Sequence, residues 1–278
     1  VIVPARNEAA HIASCVRSIL ASEYPSLQVI VVDDHSSDGT AALAREAVDA
    51  LAKPPGSLGR MEDLAVQLAG IAGVCPPPVP HDPVALVFAA DHGVVARGVS
   101  RWPREVTAAM VAQLLAGRAA CNAIARTVGA RVVVTDVGVA TPVAPHPDLV
   151  SRAVAPGTAD MLQGPAMTAH EMARAVQVGV DVARAAVEAG AGVVCVGDMG
   201  IGNTTAAAAL VAAYTGAGAA DVVGRGAASD DATVERKRDV VAQSLRRHPS
   251  RDPGAVLANL GGFEHAGMAG AVLACALA

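Results

Sequence analysis

The segment Gly197–Thr205, Gly-Asp-Met-Gly-Ile-Gly-Asn-Thr-Thr, constrains the fold more than any other part of this chain. An apolar run, Ala191–Val196, precedes it, and an alanine-rich run, Ala206–Ala213, follows it. The first has the composition of a buried strand and the second that of a helix. Strand, glycine-rich turn and helix in that order aim backbone N–H groups and the positive end of a helix at one point, a construction suited to an anion such as phosphate. The loop fits neither widespread phosphate fingerprint. No Lys precedes Thr204, as a Walker A loop requires, and the glycines run G-x-x-G-x-G instead of G-x-G-x-x-G. The plain alternative is a tight strand-to-helix turn without a ligand.

Elements of the same two kinds alternate along the chain. Strands are predicted at 1–3, 28–32, 84–90, 131–135 and 193–196. Helices are predicted at 8–21, 39–51, 61–72, 105–117, 119–127, 169–189, 204–213, 232–246 and 266–278, with Ser36, Ser37 and Asp38 as caps for the second. Continuous Val-rich strands separated by helices predict an α/β fold: a parallel sheet covered by helices on both faces, a Rossmann-like three-layer arrangement. Residues 1–47 form a βαβα start of their own, and a Pro-rich linker follows at Cys75–Pro83.

Composition narrows the function classes. The 278 residues suffice for one large α/β domain or two smaller ones, and 53% are hydrophobic. With two Phe, two Tyr and one Trp, the core must be built from Ala, Val and Leu, and stacking on nucleic-acid bases is not expected. The formal net charge of −5, without a basic run, argues against nucleic acid or an anionic membrane as partner. Five scattered cysteines without a C-x-x-C pair suit a reducing cytoplasm. No apolar run reaches the ~18 residues of a membrane helix, and no signal peptide is recognisable. The chain starts at Val1 within a strand and stops at Ala278 within a helix, so both ends are expected to be cut.

Two resemblances account for the motifs. Val1-Ile2-Val3-Pro4-Ala5-Arg6-Asn7-Glu8 and Val29-Ile30-Val31-Val32-Asp33-Asp34-His35-Ser36-Ser37-Asp38-Gly39-Thr40 resemble the start of family-2 glycosyltransferases. That resemblance implies a site for the nucleotide of a sugar donor, with Asp34 at its base or ribose. It covers residues 1–47 and lacks the metal-binding D-x-D and the later catalytic Asp. From about Val48 to Ala278 the chain resembles nicotinate-nucleotide–dimethylbenzimidazole phosphoribosyltransferases. The carriers are Leu51–Arg60, Ala90-Asp91-His92-Gly93-Val94, Gly98-Val99-Ser100, Asp136–Val139, Gly164–Met167 and Gly197–Thr205. Val223–Gly226 with Lys237, and Gly261-Gly262-Phe263-Glu264, complete the set.

The second resemblance implies transfer of ribose phosphate from nicotinate mononucleotide to 5,6-dimethylbenzimidazole, giving nicotinate and α-ribazole 5′-phosphate, a step of cobalamin lower-ligand synthesis. It also implies a cytoplasmic homodimer with two small-molecule substrates and no metal or cofactor; no H-x-x-x-H or H-E-x-x-H spacing occurs. Gly200, Gly202, Asn203 and Thr204 would cradle phosphate and ribose. Gly224, Gly226 and Lys237 would make a second phosphate contact, although a lone helical Lys is equally read as solvated. Asp198 would orient the base or ribose hydroxyls, or else cap the following helix. Asp91 and His92 end a strand on the ligand side; His92 would bond substrate, or stand as a satisfied structural histidine. Trp102 and Met110 would flank the flat benzimidazole ring, with Trp102 otherwise plain core.

Glu264 is expected near substrate because Gly261-Gly262 permits close approach. The family's general base is implied to be a Glu in a later Gly-Glu-Gly-Thr-Gly stretch beyond Ala278, and losing a general base lowers rates by ~10²–10⁴-fold. The expectation is therefore a truncated phosphoribosyltransferase with doubtful turnover. A nucleotide-sugar glycosyltransferase and a non-functional fused fragment are the alternatives.

Overall fold

The computed structural model describes residues 2–5, 30–33, 49, 54, 56–72, 78–227 and 230–277. They divide into two compact units, 1–81 with 276–278, and 82–275. In the first unit β1 (Ile2–Ala5) pairs in parallel with β2 (Ile30–Asp33), Ile2 opposite Ile30. Helix α1 (Arg60–Ala72) carries Glu62 and Asp63 in its first turn, where the helix dipole favours carboxylates, and Glu62 accepts a hydrogen bond from the Leu58 N–H. The predicted helices 8–21 and 39–51, their caps and Asp34 lie outside the described residues.

The second unit is built on four parallel strands in the order β5-β4-β3-β6. These are β3 (Pro83–Ala90), β4 (Arg131–Gly138), β5 (Leu149–Ser151) and β6 (Val193–Met199). Alternation along β3 sorts its side chains onto two faces. Leu86, Phe88 and Ala90 join a core with Ala175, Ala183, Phe263 and Ala266, while Val87 and Ala89 meet Val111 and Leu114 on the other face. The helices supplying these cores are α2 (Val106–Leu115), α3 (Ala120–Thr127), α4 (Ala169–Glu188) and, at the far end of the chain, Phe263–Ala276. Thr168 caps α4 in a reciprocal box with Glu171. The predicted three-layer α/β arrangement is the one observed.

Beyond β6 come α5 (Asn203–Thr215), the single turn α6 (Ala219–Val222), α7 (Asp231–Arg247), α8 (Pro253–Leu260) and α9 (Phe263–Ala276). Helices α5, α7 and α8 form a further cluster around Leu210, Val241, Val256 and Leu260. A core so poor in aromatic rings closes by bringing backbones together. A Cβ on Gly179 of α4 would lie 1.8 Å from the Gly267 carbonyl of α9, and one on Gly270 would lie 2.0 Å from the Val176 carbonyl. Glycine there lets the two helices touch directly.

Three elements, β4, β5 and α8, depart from the sequence pattern. Strand β5 has only three residues, too few for a period, and β4 runs on to Gly138. Helix α8 starts at an Asp252 cap followed by Pro253. As the sequence pattern predicted, the apolar stretch Val106–Thr127, which has the hydropathy of a membrane span, is two helices, broken where Gly117 takes φ 70°.

Candidate active site

The chain order reverses at β3: β4 pairs on one side of it and β6 returns to the other. In such sheets a crevice opens at the C-terminal ends of the strands flanking the reversal. The glycine-rich turn after β6 lies there and permits little substitution. A Cβ on Gly200 would fall 2.2 Å from the Ala90 carbonyl oxygen, and Gly202, at φ 96°, would bring one 2.7 Å from Val95. The Asn203 and Thr205 N–H groups bond back to the Gly200 and Gly202 carbonyls, starting α5. The Ile201 N–H donates to Thr107 Oγ1 on α2 at 3.0 Å. Sequence reasoning missed Thr107, which has no signature beyond its place in a helix.

Lys237 on α7 is buried, and its Nζ donates over long distances to Thr204 Oγ1 (3.3 Å) and the Arg225 carbonyl (3.4 Å). Burial pushes the ammonium down from its ordinary 10.5. Among the described residues no carboxylate pairs with it. The solvated reading of Lys237 is thus replaced by a buried cation without an anion among the described residues. Gly226, at φ 57°, lies against the same two groups: a Cβ would sit 2.8 Å from Lys237 Nζ and 2.9 Å from Thr204 Oγ1. Gly224 is exposed with open space around it. The exposed Arg225 guanidinium pairs with Asp231.

Beneath the turn lies a second cluster. Glu264, at the start of α9, is fully buried; its Oε1 is 2.8 Å from His92 Nε2 and 2.9 Å from His265 Nδ1. Burial by itself would raise the Glu264 carboxyl, but the two imidazoles outweigh it and hold it well below the usual carboxylate range. For His265 burial works downward, and Glu264 and then Asp198 overcome it, raising the imidazole above 6.5. The Gly262 N–H also points at His265 Nδ1, at 3.0 Å. One nitrogen cannot donate to the carboxylate and accept from this N–H, and the buried carboxylate is the stronger partner. Sequence reasoning placed Glu264 near substrate and did not single out His265; the sole available signal was its position beside Glu264 after Gly261-Gly262.

Asp198 is exposed at the end of β6 and accepts a hydrogen bond from Asn203 Nδ2. Its carboxylate, Glu264 and His265 offer atoms within 4.8 Å of one another. His265, drawn toward its charged form by Glu264 and Asp198, is a poor metal ligand, so the spacing by itself assigns no metal. Asp91 is buried and Oδ2 accepts from the Ala140 N–H at 2.8 Å, tying the end of β3 to the loop after β4. Near the end of β4 burial raises the Asp136 carboxyl, although the N–H groups of Val139 and Gly138 bond to it. Trp102 is 43% exposed beneath the Arg101 guanidinium, so it is not core, and Met110 is half-buried. A cavity of about 240 Å³ bordered by Leu86, Val133, Arg152 and Val182 contains none of these residues.

Residues 34–278 match the family described as phosphoribosyltransferase. The chain belongs to the phosphoribosyltransferase family. Residues 1–57 match glycosyl transferase family 2, overlapping the first match over 34–57. Every group of the crevice lies within the phosphoribosyltransferase match. The nicotinate-nucleotide–dimethylbenzimidazole phosphoribosyltransferase of Chloroflexus aurantiacus is 51% identical over 242 residues, 86% of this chain and 68% of that protein. That of Salinispora tropica is 49% identical over 251 residues, 84% of this chain and 69% of the relative. The crystal structure of CobT from Thermus thermophilus superposes with a TM-score of 0.79 at 47% identity, covering 84% of this phosphoribosyltransferase and 71% of that chain.

Proposed function

We propose that the chain transfers ribose phosphate from nicotinate mononucleotide to 5,6-dimethylbenzimidazole, releasing nicotinate, as the names of its relatives indicate for them. The observation that carries this reading is the buried Lys237, without a carboxylate partner among the described residues, beside Thr204 at the mouth of the glycine-rich turn. A buried cation without a counter-ion is stabilised by an anionic ligand. The phosphate would dock on Lys237, Thr204 Oγ1 and the N-terminal end of α5, with Gly226 leaving room behind it. Asp198, fixed by Asn203, stands on the ribose side and would orient its hydroxyls or the base.

In the transfer a benzimidazole nitrogen bonds to C1′ as the C1′–pyridinium bond breaks. The bond's electron pair neutralises the pyridinium, so nicotinate leaves without needing a proton. The acceptor loses its N–H proton to a base. Trp102 and Met110 supply apolar surface for the flat acceptor ring. Neither step requires a metal. We place the boundary between the glycosyltransferase-like segment and the phosphoribosyltransferase domain at residues 47/48, inside the overlap of the two family matches. The resemblance also implies a homodimer acting in the cytoplasm, and light scattering on the purified chain tests the first.

The direct experiment is incubation with both substrates and chromatography of the products. Equal amounts of nicotinate and α-ribazole phosphate are expected. Nicotinate mononucleotide recovered intact, with uridine or guanosine diphosphate sugar bound in a Mn²⁺-dependent way instead, would favour the second reading that residues 1–57 support.

A further inference from the structure

His92 is gripped on three sides by backbone that carries no side chain. A Cβ on Gly202 would approach His92 Cβ to 3.1 Å, one on Gly200 would reach His92 Cδ2 at 3.5 Å, and one on Gly262 would meet His92 Cε1 at 2.5 Å. Gly200 and Gly202 are the glycines of the turn that opens into Asn203 and Thr204. The imidazole is therefore the floor on which that turn lies. At the ring's free end Glu264 Oε1 lies 2.8 Å from Nε2, with both side chains excluded from solvent, and the His265 ring stands 5.9 Å away. The same oxygen lies 2.9 Å from His265 Nδ1, and His265 faces Asp198.

We infer that Glu264 is a positioning residue: acting through His92 it sets the height of the Gly200–Thr204 turn, and acting through His265 it holds the ground beneath Asp198. Glu264 has no exposed surface. Its contribution is geometric. A carboxylate beside two imidazoles ties two chain segments, residues 91–92 and 262–265, to the underside of a loop whose backbone otherwise closes local turns and reaches α2 through the Ile201 N–H bond to Thr107. The groups facing the cluster are His92 from the end of β3, Asp198 from β6, and Glu264 and His265 from α9. The inference rests on the phosphate-cradle reading of that turn.

Two measurements test it. In the first, imidazole resonances of the isotope-labelled wild-type chain are followed while nicotinate mononucleotide, and separately inorganic phosphate, is added. The His92 signal is expected to move with saturation by either, since the loop above it is loaded. Saturable binding with a stationary His92 signal overturns the inference while leaving the functional reading intact. Phosphate binding without mononucleotide binding overturns the functional reading and still reports on His92. Absence of binding by either removes both.

The second measurement is steady-state kinetics of Glu264→Gln, which keeps the volume and removes the charge. Displacement of a substrate-holding group by an ångström lowers rates by about 10²-fold. A fall of that order in kcat/KM for the mononucleotide, carried mostly by KM, is expected, with KM for the benzimidazole nearly unchanged. Equal losses for both substrates, or none, contradict a positioning role. Should Glu264→Gln fail to fold, Glu264→Asp keeps the charge and draws it away from His92. It is expected to show the same selective rise in KM, and a wild-type KM would contradict the inference.

Discussion

The upper and lower sides of the Gly200–Thr204 turn are built on opposite principles. Above it, Lys237 is a buried charge without an anionic partner among the described residues, held by two long hydrogen bonds. Below it, Glu264 is a buried charge with two partners, both within 2.9 Å. An unpaired buried ion lowers stability and raises affinity for an opposite charge, whereas a partnered one fixes geometry. The contrast separates groups that meet the ligand from groups that hold them in place.

The largest expected effect comes from breaking the turn itself. Gly200→Ala places a methyl group 2.2 Å from the Ala90 carbonyl, backbone that cannot swing away. A loss of about 3 kcal/mol is expected, read in thermal unfolding as a Tm drop of ~6–12 °C. Next, Lys237→Met sharpens the comparison because the two readouts move in opposite directions. Mononucleotide affinity should fall ~10–100-fold, the worth of a charged hydrogen bond, while Tm holds or rises because an unpaired buried charge is gone. A drop in both would place Lys237 among the structural groups.

The lower side predicts a pH signature. The Glu264 carboxyl is depressed in the folded chain, so its stabilisation is present above its ordinary 4.5 and is lost as pH falls through the depressed value. The His265 imidazole is raised, so its stabilisation is complete below 6.5 and is lost as pH rises through the raised value. The two overlap between pH 4.5 and 6.5. There the difference in Tm between the wild-type chain and Glu264→Gln should be greatest, narrowing on either side. The smallest effect is expected at Trp102, half-open to solvent beneath Arg101. Trp102→Ala should raise KM for the benzimidazole about threefold to tenfold, the worth of an aromatic contact, and leave Tm nearly unchanged.

The upper side was legible in the sequence because its chemistry is local. Gly200, Gly202, Asn203 and Thr204 are neighbours, and an apolar run before and an alanine run after them dictate strand, turn and helix. The parallel sheet was legible for the same reason, from Val-rich strands that alternate with helices. The burial of Lys237 was not: it depends on α7 packing onto α5, a contact between residues far apart in sequence. His265 was invisible because its meaning arises only when the start of α9 meets the end of β3, bringing residue 92 to residues 264 and 265. Asp91 was legible as a strand end, but its bond to the Ala140 N–H belongs to a loop that no pattern marks. Trp102 was open to a core reading because a rare aromatic in an apolar chain is usually buried, yet it stands 43% exposed.

The most direct test of the unpaired cation is calorimetric comparison of nicotinate mononucleotide with nicotinate riboside, which lacks only the phosphate. The mononucleotide is expected to bind at least about 10-fold more tightly to the wild-type chain, the worth of one charged hydrogen bond, and Lys237→Met to remove most of that difference. Equal affinity for the two ligands in the wild-type chain would contradict that expectation.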